Sequence, residues 1–289
     1  MDRISVSAPA KINITLDILG RRSDGYHELR SIMQSVSVYD RLTITKTGRD
    51  GFEMTCSEPS VPCDERNLVI KAAKAFCEKH GITDGLLFEL EKKIPSMAGM
   101  AGGSSDCAAT LIGLDKMYGT EMTLSELIEI GQMLGADVPF CLAGGTQICE
   151  GIGEKLTKLG GMPHCYIVAV KPDLSISTPK AFAAYDSIEN PKMSDFRGIT
   201  EAFEKSDLDG ICHRLFNALE YASSCEEIES IKERLISFGA SASIMTGSGS
   251  AVYGIFKDKA VAEKCCGELS KDYSFAAVCE PTDFGCVIL

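Results

Sequence analysis

One run, Pro95-Ser96-Met97-Ala98-Gly99-Met100-Ala101-Gly102-Gly103-Ser104-Ser105-Asp106, constrains this chain more than any other stretch. Its side chains are nearly all small. An alternating segment, Leu86, Phe88 and Leu90, precedes it and reads as a strand. An Ala-rich stretch follows and predicts a helix from about Ser104 to Tyr118. A strand must therefore become a helix through backbone that little covers. Bare N–H groups beside the positive end of a helix dipole suit a chain of phosphates, and the serine hydroxyls add donors. A flexible loop with a serine N-cap is the plainer alternative, and for this loop alone the two readings balance. The pattern is neither G-x-x-x-x-G-K-[ST] nor G-x-G-x-x-G. No lysine precedes the hydroxyl residues, so positive charge for an anion has to come from elsewhere.

Lys11 is the first source to consider. Ile12, Ile14, Leu16 and Ile18 fill one face of a strand, which leaves Lys11, Asn13, Thr15 and Asp17 on the other. Lys11 and Asn13 then lie ~7 Å apart on one side of a sheet. An ordinary solvated strand face has the same pattern. Asp137 is the second residue of interest. Gly135 stops a helix expected over Thr123–Leu134, and Pro139 suits the start of the next. Asp137 thus sits at a corner, where a carboxylate either serves the helix dipole or takes a proton from a hydroxyl, held ionised by an ammonium such as Lys11. Tyr26-His27 follows the turn Ser23-Asp24-Gly25. An exposed aromatic beside an imidazole suits a nucleobase, with Phe182, after Thr178-Pro179, as a second ring or simply core. Thr246-Gly247-Ser248-Gly249-Ser250 reads as a tight turn between strands, or as a second loop closing on the same phosphates.

The bulk properties narrow the partners. The chain has 289 residues, 45% hydrophobic and 24% charged, which is ordinary for a packed globular protein. A net charge of −12 with no Lys/Arg run longer than a pair argues against nucleic acid. The 13 cysteines contain no C-x-x-C pair, so zinc and thioredoxin-like spacings are absent. Many lie in apolar stretches, as Cys141 and Cys165 do, and read as reduced buried thiols. The alternating N-terminus does not resemble a signal peptide, and no apolar run approaches a membrane span. The expectation is a cytoplasmic protein with no membrane partner, a monomer or homodimer, binding a small molecule.

Along the chain, strands are expected at Ile4–Ala8 and Ile12–Ile18, separated at Pro9 by a bulge or an edge. Others are expected at about Val36–Thr45, Phe52–Thr55, Leu86–Leu90, Cys165–Val170, Ser243–Met245, Ala251–Phe256 and Phe275–Cys279. Helices are expected at Asn67–His80, capped by Asn67 and stopped by Gly81, and at Ser104–Tyr118 and Thr123–Leu134. Later helical patterns lie near Pro179–Tyr185, Leu215–Ala222, Glu226–Phe238 and Ala260–Leu269. The elements mix without strict alternation, which favours α+β layers in two domains, 1–155 and 156–289, with a cleft between.

Three segments in order, Ser7-Ala8-Pro9-Ala10-Lys11-Ile12-Asn13, Pro95 to Asp106 and Thr246 to Tyr253, resemble the motifs of the GHMP kinases and span nearly the whole chain. The resemblance implies an N-terminal domain like ribosomal protein S5 domain 2 and a ferredoxin-like C-terminal domain. It implies ATP as phosphate donor, with Mg2+ held mainly by the nucleotide phosphates and no protein metal site. Arg21 to Leu29 and Gly135 to Phe140 resemble the members whose acceptor carries a cytidine diphosphate group and is phosphorylated on the C2 hydroxyl of a methylerythritol unit. Homoserine and mevalonate kinases, or a non-catalytic sensor of a ligand, are the alternatives. Carried over residue by residue, Lys11 and Asp137 match the catalytic pair and Asn13 a residue near the acceptor. Tyr26, His27, Thr178 and Phe182 match substrate-binding positions, with the cytosine ring between Tyr26 and Phe182. Pro95, Ser96, Met97, Ala98, Gly99, Met100, Ala101, Gly102, Gly103, Ser104 and Ser105 match the ATP loop. The family favours glycine where this chain has Ala101, which costs of order 1 kcal/mol if that position needs a positive φ.

Overall fold

The computed structural model describes residues 1–222 and 225–289. Its first sheet is built on one long hairpin. β1 (Arg3–Arg21) and β2 (His27–Lys46) pair antiparallel from Arg3↔Thr45 to Arg21↔His27. β1 is thus one continuous strand and not two. Pro9 is absorbed by a register shift between Pro9 and Ala10, since a bulge tolerates the missing N–H. β2 begins at His27, nine residues before the strand expected from Val36, because polar residues alternate through this half. Outward from β2 come β4 (Leu86–Glu91) and β3 (Phe52–Cys56), which pair parallel with each other.

Helices cover one face of this sheet. α1 (Leu68–His80) is capped by the Asn67 side chain, which accepts from the Val69 N–H, and ends at a left-handed Gly81. α2 (Gly102–Tyr118) lies against β1 and β2. It approaches closely because Gly113 has no Cβ, which would come within 2.8 Å of the Ile44 side chain. α3 (Leu124–Leu134) starts with a capping box from Thr123 and Glu126. α4 (Val138–Ala143) follows the corner at Asp137.

A second hairpin, β5 (Thr146–Gly151) with β6 (Lys155–Lys158), adds to the exposed side of β2. Sequence patterning gave no sign of it, because its residues are short and mixed in polarity.

The second sheet has the order β11-β7-β10-β9, all antiparallel: β7 (Tyr166–Lys171), β9 (Ala242–Met245), β10 (Val252–Phe256) and β11 (Phe275–Cys279). With α9 (Glu226–Ser237) and α10 (Lys259–Leu269) the chain order becomes βαββαβ, the ferredoxin-like arrangement. Between β7 and α9 run α5 (Thr178–Tyr185), α6 (Phe196–Glu204), α7 (Leu208–Cys212) and α8 (Ala218–Ala222). α6 and α7 gave no clear period, yet each is capped by an aspartate, Asp195 and Asp207, accepting from a glycine N–H. The helix expected from Leu215 begins only at Ala218, because Phe216–Asn217 form β8, a short parallel partner of β1.

The two sheets are tied together. β8 and β12 (Val287–Ile288) belong to the first sheet although they lie beyond residue 155, and β6 starts at that residue. One buried cluster joins Ile12 and Ile14 of β1 to Ile167, Tyr253 and Ile255 of the second sheet. Among the described residues no helix is long and apolar enough to cross a membrane.

Candidate active site

The face of β1 opposite Ile12 and Ile14 carries the polar residues, and at Lys11 and Asn13 it meets the corner before α4 and the 246–250 loop. The Lys11 side chain is 4% exposed. A buried ammonium needs charged or polar partners, and it has two. It donates to Asn13 Oδ1 at 2.7 Å and lies 3.7 Å from Asp137 Oδ2. Asp137 occupies the N-cap of α4 but makes no side-chain capping bond, which leaves its carboxylate to face Lys11. It is 31% exposed and opens to a cleft. The corner therefore aims the carboxylate at the lysine and not at the helix dipole.

Asn13 is fully engaged inside the protein. Its Oδ1 accepts from Lys11 and, at 3.3 Å, from Thr246 Oγ1, and its Nδ2 donates to Ser31 Oγ at 2.9 Å. Its backbone N–H donates to Thr246 Oγ1 and its carbonyl accepts from Tyr253 Oη. The hydroxyl of Thr246 thus reads the position of β1 from the second sheet. Sequence reasoning placed Thr246 in a tight turn or a second phosphate loop and in the third family motif, but gave it no role of its own.

The small-residue loop lies across the same floor. The Lys11 N–H donates to the Met100 carbonyl at 3.1 Å, and the Ala251 N–H donates to the Ala98 carbonyl at 3.1 Å. Both sheets therefore grip the loop. The loop runs through three left-handed residues, Met97 (φ 54), Gly99 (φ 73) and Ala101 (φ 58). Ala101 is the N-cap of α2 and makes no side-chain capping bond. Left-handed geometry costs an alanine ~1–2 kcal/mol, and glycine returns roughly 0.4–1 kcal/mol of that through unfolded-state entropy. Ala101→Gly is expected to raise stability by ~0.5–1 kcal/mol. The thermal midpoint should rise by ~1–3 °C, read by circular dichroism; a lower midpoint contradicts the strain.

Ser105 corrects one expectation. It was expected among the ATP-loop residues, but its side chain is fully buried and its hydroxyl donates to the Pro9 carbonyl at 2.7 Å. The hydroxyl ties α2 to β1 and does not face the cleft, whereas Ser104, one residue earlier on the helix, lines it.

The cleft measures about 1030 Å³. Its far end carries the other expected residues. Tyr26 is 62% exposed at the rim. His27 stacks on Phe182 with ring centroids 4.6 Å apart and planes at 20°, and its Nε2 lies 2.8 Å from Asp186 Oδ1. Phe182 therefore meets His27 directly here, and Tyr26 is not stacked against it. Thr178 and Ser248 share a hydrogen bond at 2.8 Å, joining α5 to the 246–250 loop. Ser248 of the 246–250 loop also lines the cleft, as do Asp186 and Lys92, which were missed. Lys92 stands three residues before Pro95, so only its closeness to the small-residue run could have marked it. Among the described residues no group of three or more His, Cys, Asp or Glu could hold a metal ion.

Residues 67–145 match the family model "GHMP kinases N terminal domain", and residues 199–274 match "GHMP kinases C terminal". A 4-diphosphocytidyl-2-C-methyl-D-erythritol kinase of Clostridium botulinum is 42% identical over 275 residues, covering 93% of this chain and 97% of the relative. The enzyme of that name from Lachnoclostridium phytofermentans is 44% identical over 266 residues, 91% of each. The crystal structure of a 4-(cytidine 5'-diphospho)-2C-methyl-D-erythritol kinase superposes with a TM-score of 0.82 at 30% identity, covering 96% of this chain and 99% of that one. Matched over nearly its full length by relatives of this kind, the chain belongs to the GHMP kinase family.

Proposed function

We infer that this enzyme transfers the terminal phosphate of ATP to the C2 hydroxyl of 4-diphosphocytidyl-2-C-methyl-D-erythritol, giving the 2-phosphate and ADP, in non-mevalonate isoprenoid biosynthesis. Relatives named for that kinase activity, 42–44% identical over more than nine-tenths of the chain, support the reaction. The observation that carries the site is the Lys11–Asp137 pair at 3.7 Å on the floor of the cleft, beside the small-residue loop.

Phosphoryl transfer asks a protein chiefly for alignment and for charge placed where it develops. The 95–104 backbone and the start of α2 would cradle the triphosphate. Asp137 would accept the proton of the acceptor hydroxyl as its oxygen attacks. Lys11, fixed by Asn13, would hold that carboxylate ionised and aligned. Tyr26, His27 and Phe182 would take the cytosine, and Thr178 would border the diphosphate. Magnesium ordinarily accompanies a transferred phosphate. It would be held mainly by the nucleotide phosphates.

The test is release of ADP with four acceptor conditions: the cytidylated substrate, mevalonate, homoserine and none. Turnover is expected only with the first, by at least ~10²-fold, since the other two have no base to stack. Equal turnover with mevalonate or homoserine would overturn the assignment.

A further inference from the structure

Beneath the nucleotide loop lies a charged cluster for which the transfer chemistry has no role. Lys92, just beyond β4, is 7% exposed. Its Nζ bonds a carboxylate oxygen of Asp40 on β2 and, at 2.6 Å, Oδ2 of Asp106 in the second turn of α2. Both carboxylates are buried, at 0% and 5% exposure. Asp40 also accepts the backbone N–H groups of Lys93 and Ile94, at 2.5 and 2.8 Å, where the chain enters the loop. Lys92 and Asp40 therefore hold the entry to the loop, Asp106 holds its exit, and one ammonium bridges them.

The arrangement is unbalanced. Two carboxylates against one ammonium leave one negative charge buried under a loop that receives an anion. The lysine lies directly beneath the first residue of α2, since a Cβ on Gly102 would stand 3.1 Å from its Nζ. Oδ1 of Asp106 is buried without a hydrogen-bond partner. An unpaired oxygen on a buried carboxylate is costly while the group is charged. A neutral carboxyl group relieves the cost, and the charge of Asp40, bound to the same ammonium, favours it.

We propose that Asp106 is a positioning residue of the nucleotide loop whose carboxylate takes up one solvent proton when the triphosphate binds, leaving Lys92 and one net carboxylate charge as a neutral pair beneath the phosphates. The proton adds to a carboxylate oxygen and no other bond changes. Burial, followed by the charge of Asp40, already raises the Asp106 carboxyl to about 7 against the opposing pull of Lys92. A polyanion placed above it raises it further, so uptake is large above neutrality and disappears once the group is protonated in the free enzyme. The other groups facing Asp106 are the thiols of Cys56 on β3, Cys107 beside it on α2 and Cys286 ahead of β12, all raised by burial and neutral near pH 8.

The inference rests on the kinase reading, because it requires ATP at this loop. The experiment is titration calorimetry of ATP with magnesium and no acceptor, at about pH 8 in buffers of different ionisation enthalpy. There the nucleotide phosphate, which ionises near 6, is already fully charged. Wild type should take up on the order of half a proton or more, and Asp106→Asn should take up almost none. The ratio of wild-type to variant KM for ATP should fall toward one as pH drops from about 8 to 6, whereas a merely structural asparagine effect leaves that ratio flat. Binding without proton uptake by the wild type overturns the inference alone and needs no variant to fold. So does undiminished uptake by a folded Asp106→Asn protein. Absence of ATP binding overturns the kinase reading with it.

Discussion

Asp137→Asn is expected to lower kcat by at least ~10², with KM for both substrates within a fewfold of wild type. The amide keeps the shape of the carboxylate and its place 3.7 Å from Lys11, but it cannot take a proton from the acceptor hydroxyl. It also removes the counter-charge of a buried ammonium. The two effects separate in the pH profile. A lost general base removes the acid limb of kcat, whereas a displaced lysine lowers kcat at every pH and destabilises the fold. Steady-state ADP release across pH, with unfolding midpoints for both proteins, decides between them. Wild-type turnover in the variant would remove Asp137 from the chemistry.

Gly99→Ala should be the most damaging single methyl in the chain's binding machinery. Gly99 has φ 73, and an added Cβ would stand 2.1 Å from the Thr246 carbonyl oxygen and 3.2 Å from the Gly249 nitrogen. Both are backbone atoms, so no side-chain rotation relieves the clash. The two loops must separate, and with them goes the Thr246 hydroxyl that fixes Asn13 and, through it, Lys11. A loss of ~2–4 kcal/mol in stability is expected from overpacking and left-handed strain together. The kcat/KM for ATP should fall by at least ~10-fold. Denaturant unfolding and initial rates measure the two. Gly103→Ala is the control for stability, since its Cβ would meet nothing closer than a Leu68 methyl at 3.9 Å. Equal stability of the two variants would mean that the loops are not in fact interlocked.

Much of the frame was legible in the chain. The Asn67 cap, the Thr123 start of α3 and the βαββαβ succession after residue 165 follow from caps, breakers and periods that act within a few residues. The alternation that put Lys11 and Asn13 on one side of β1 is equally local, and the hydrogen bond between them is its direct result. A bulge at Pro9 was one of two readings and is what forms, but the sequence could not choose it over an edge, because a bulge depends on what the partner strand offers. The early start of β2 was missed for a related reason. Its polar half is buried by the β5–β6 hairpin and by the second sheet, and neither is near it in sequence.

Site residues divide along the same line. Ser105 belongs to the run of small residues by sequence, yet helix rotation turns its hydroxyl to Pro9 and leaves Ser104 at the cleft. Lys92, Asp40 and Asp106 are separated by as many as 66 positions, and no pattern links them, yet one ammonium joins all three. The His27–Phe182 stack likewise exists only because α5 of the second half packs over the turn of the first hairpin.

By itself the sequence determined which side chains share a face, where the capped helices α1 and α3 begin and which loop presents bare backbone, because these follow from interactions over a few residues. Only the tertiary structure decided that Lys11 meets Asp137, that Thr246 locks the strand beneath them, and that two carboxylates share one lysine under the loop. All but the Lys92–Asp106 contact bring together segments more than fifty residues apart. Their energies come from desolvation, which the folded neighbours impose and no local pattern records.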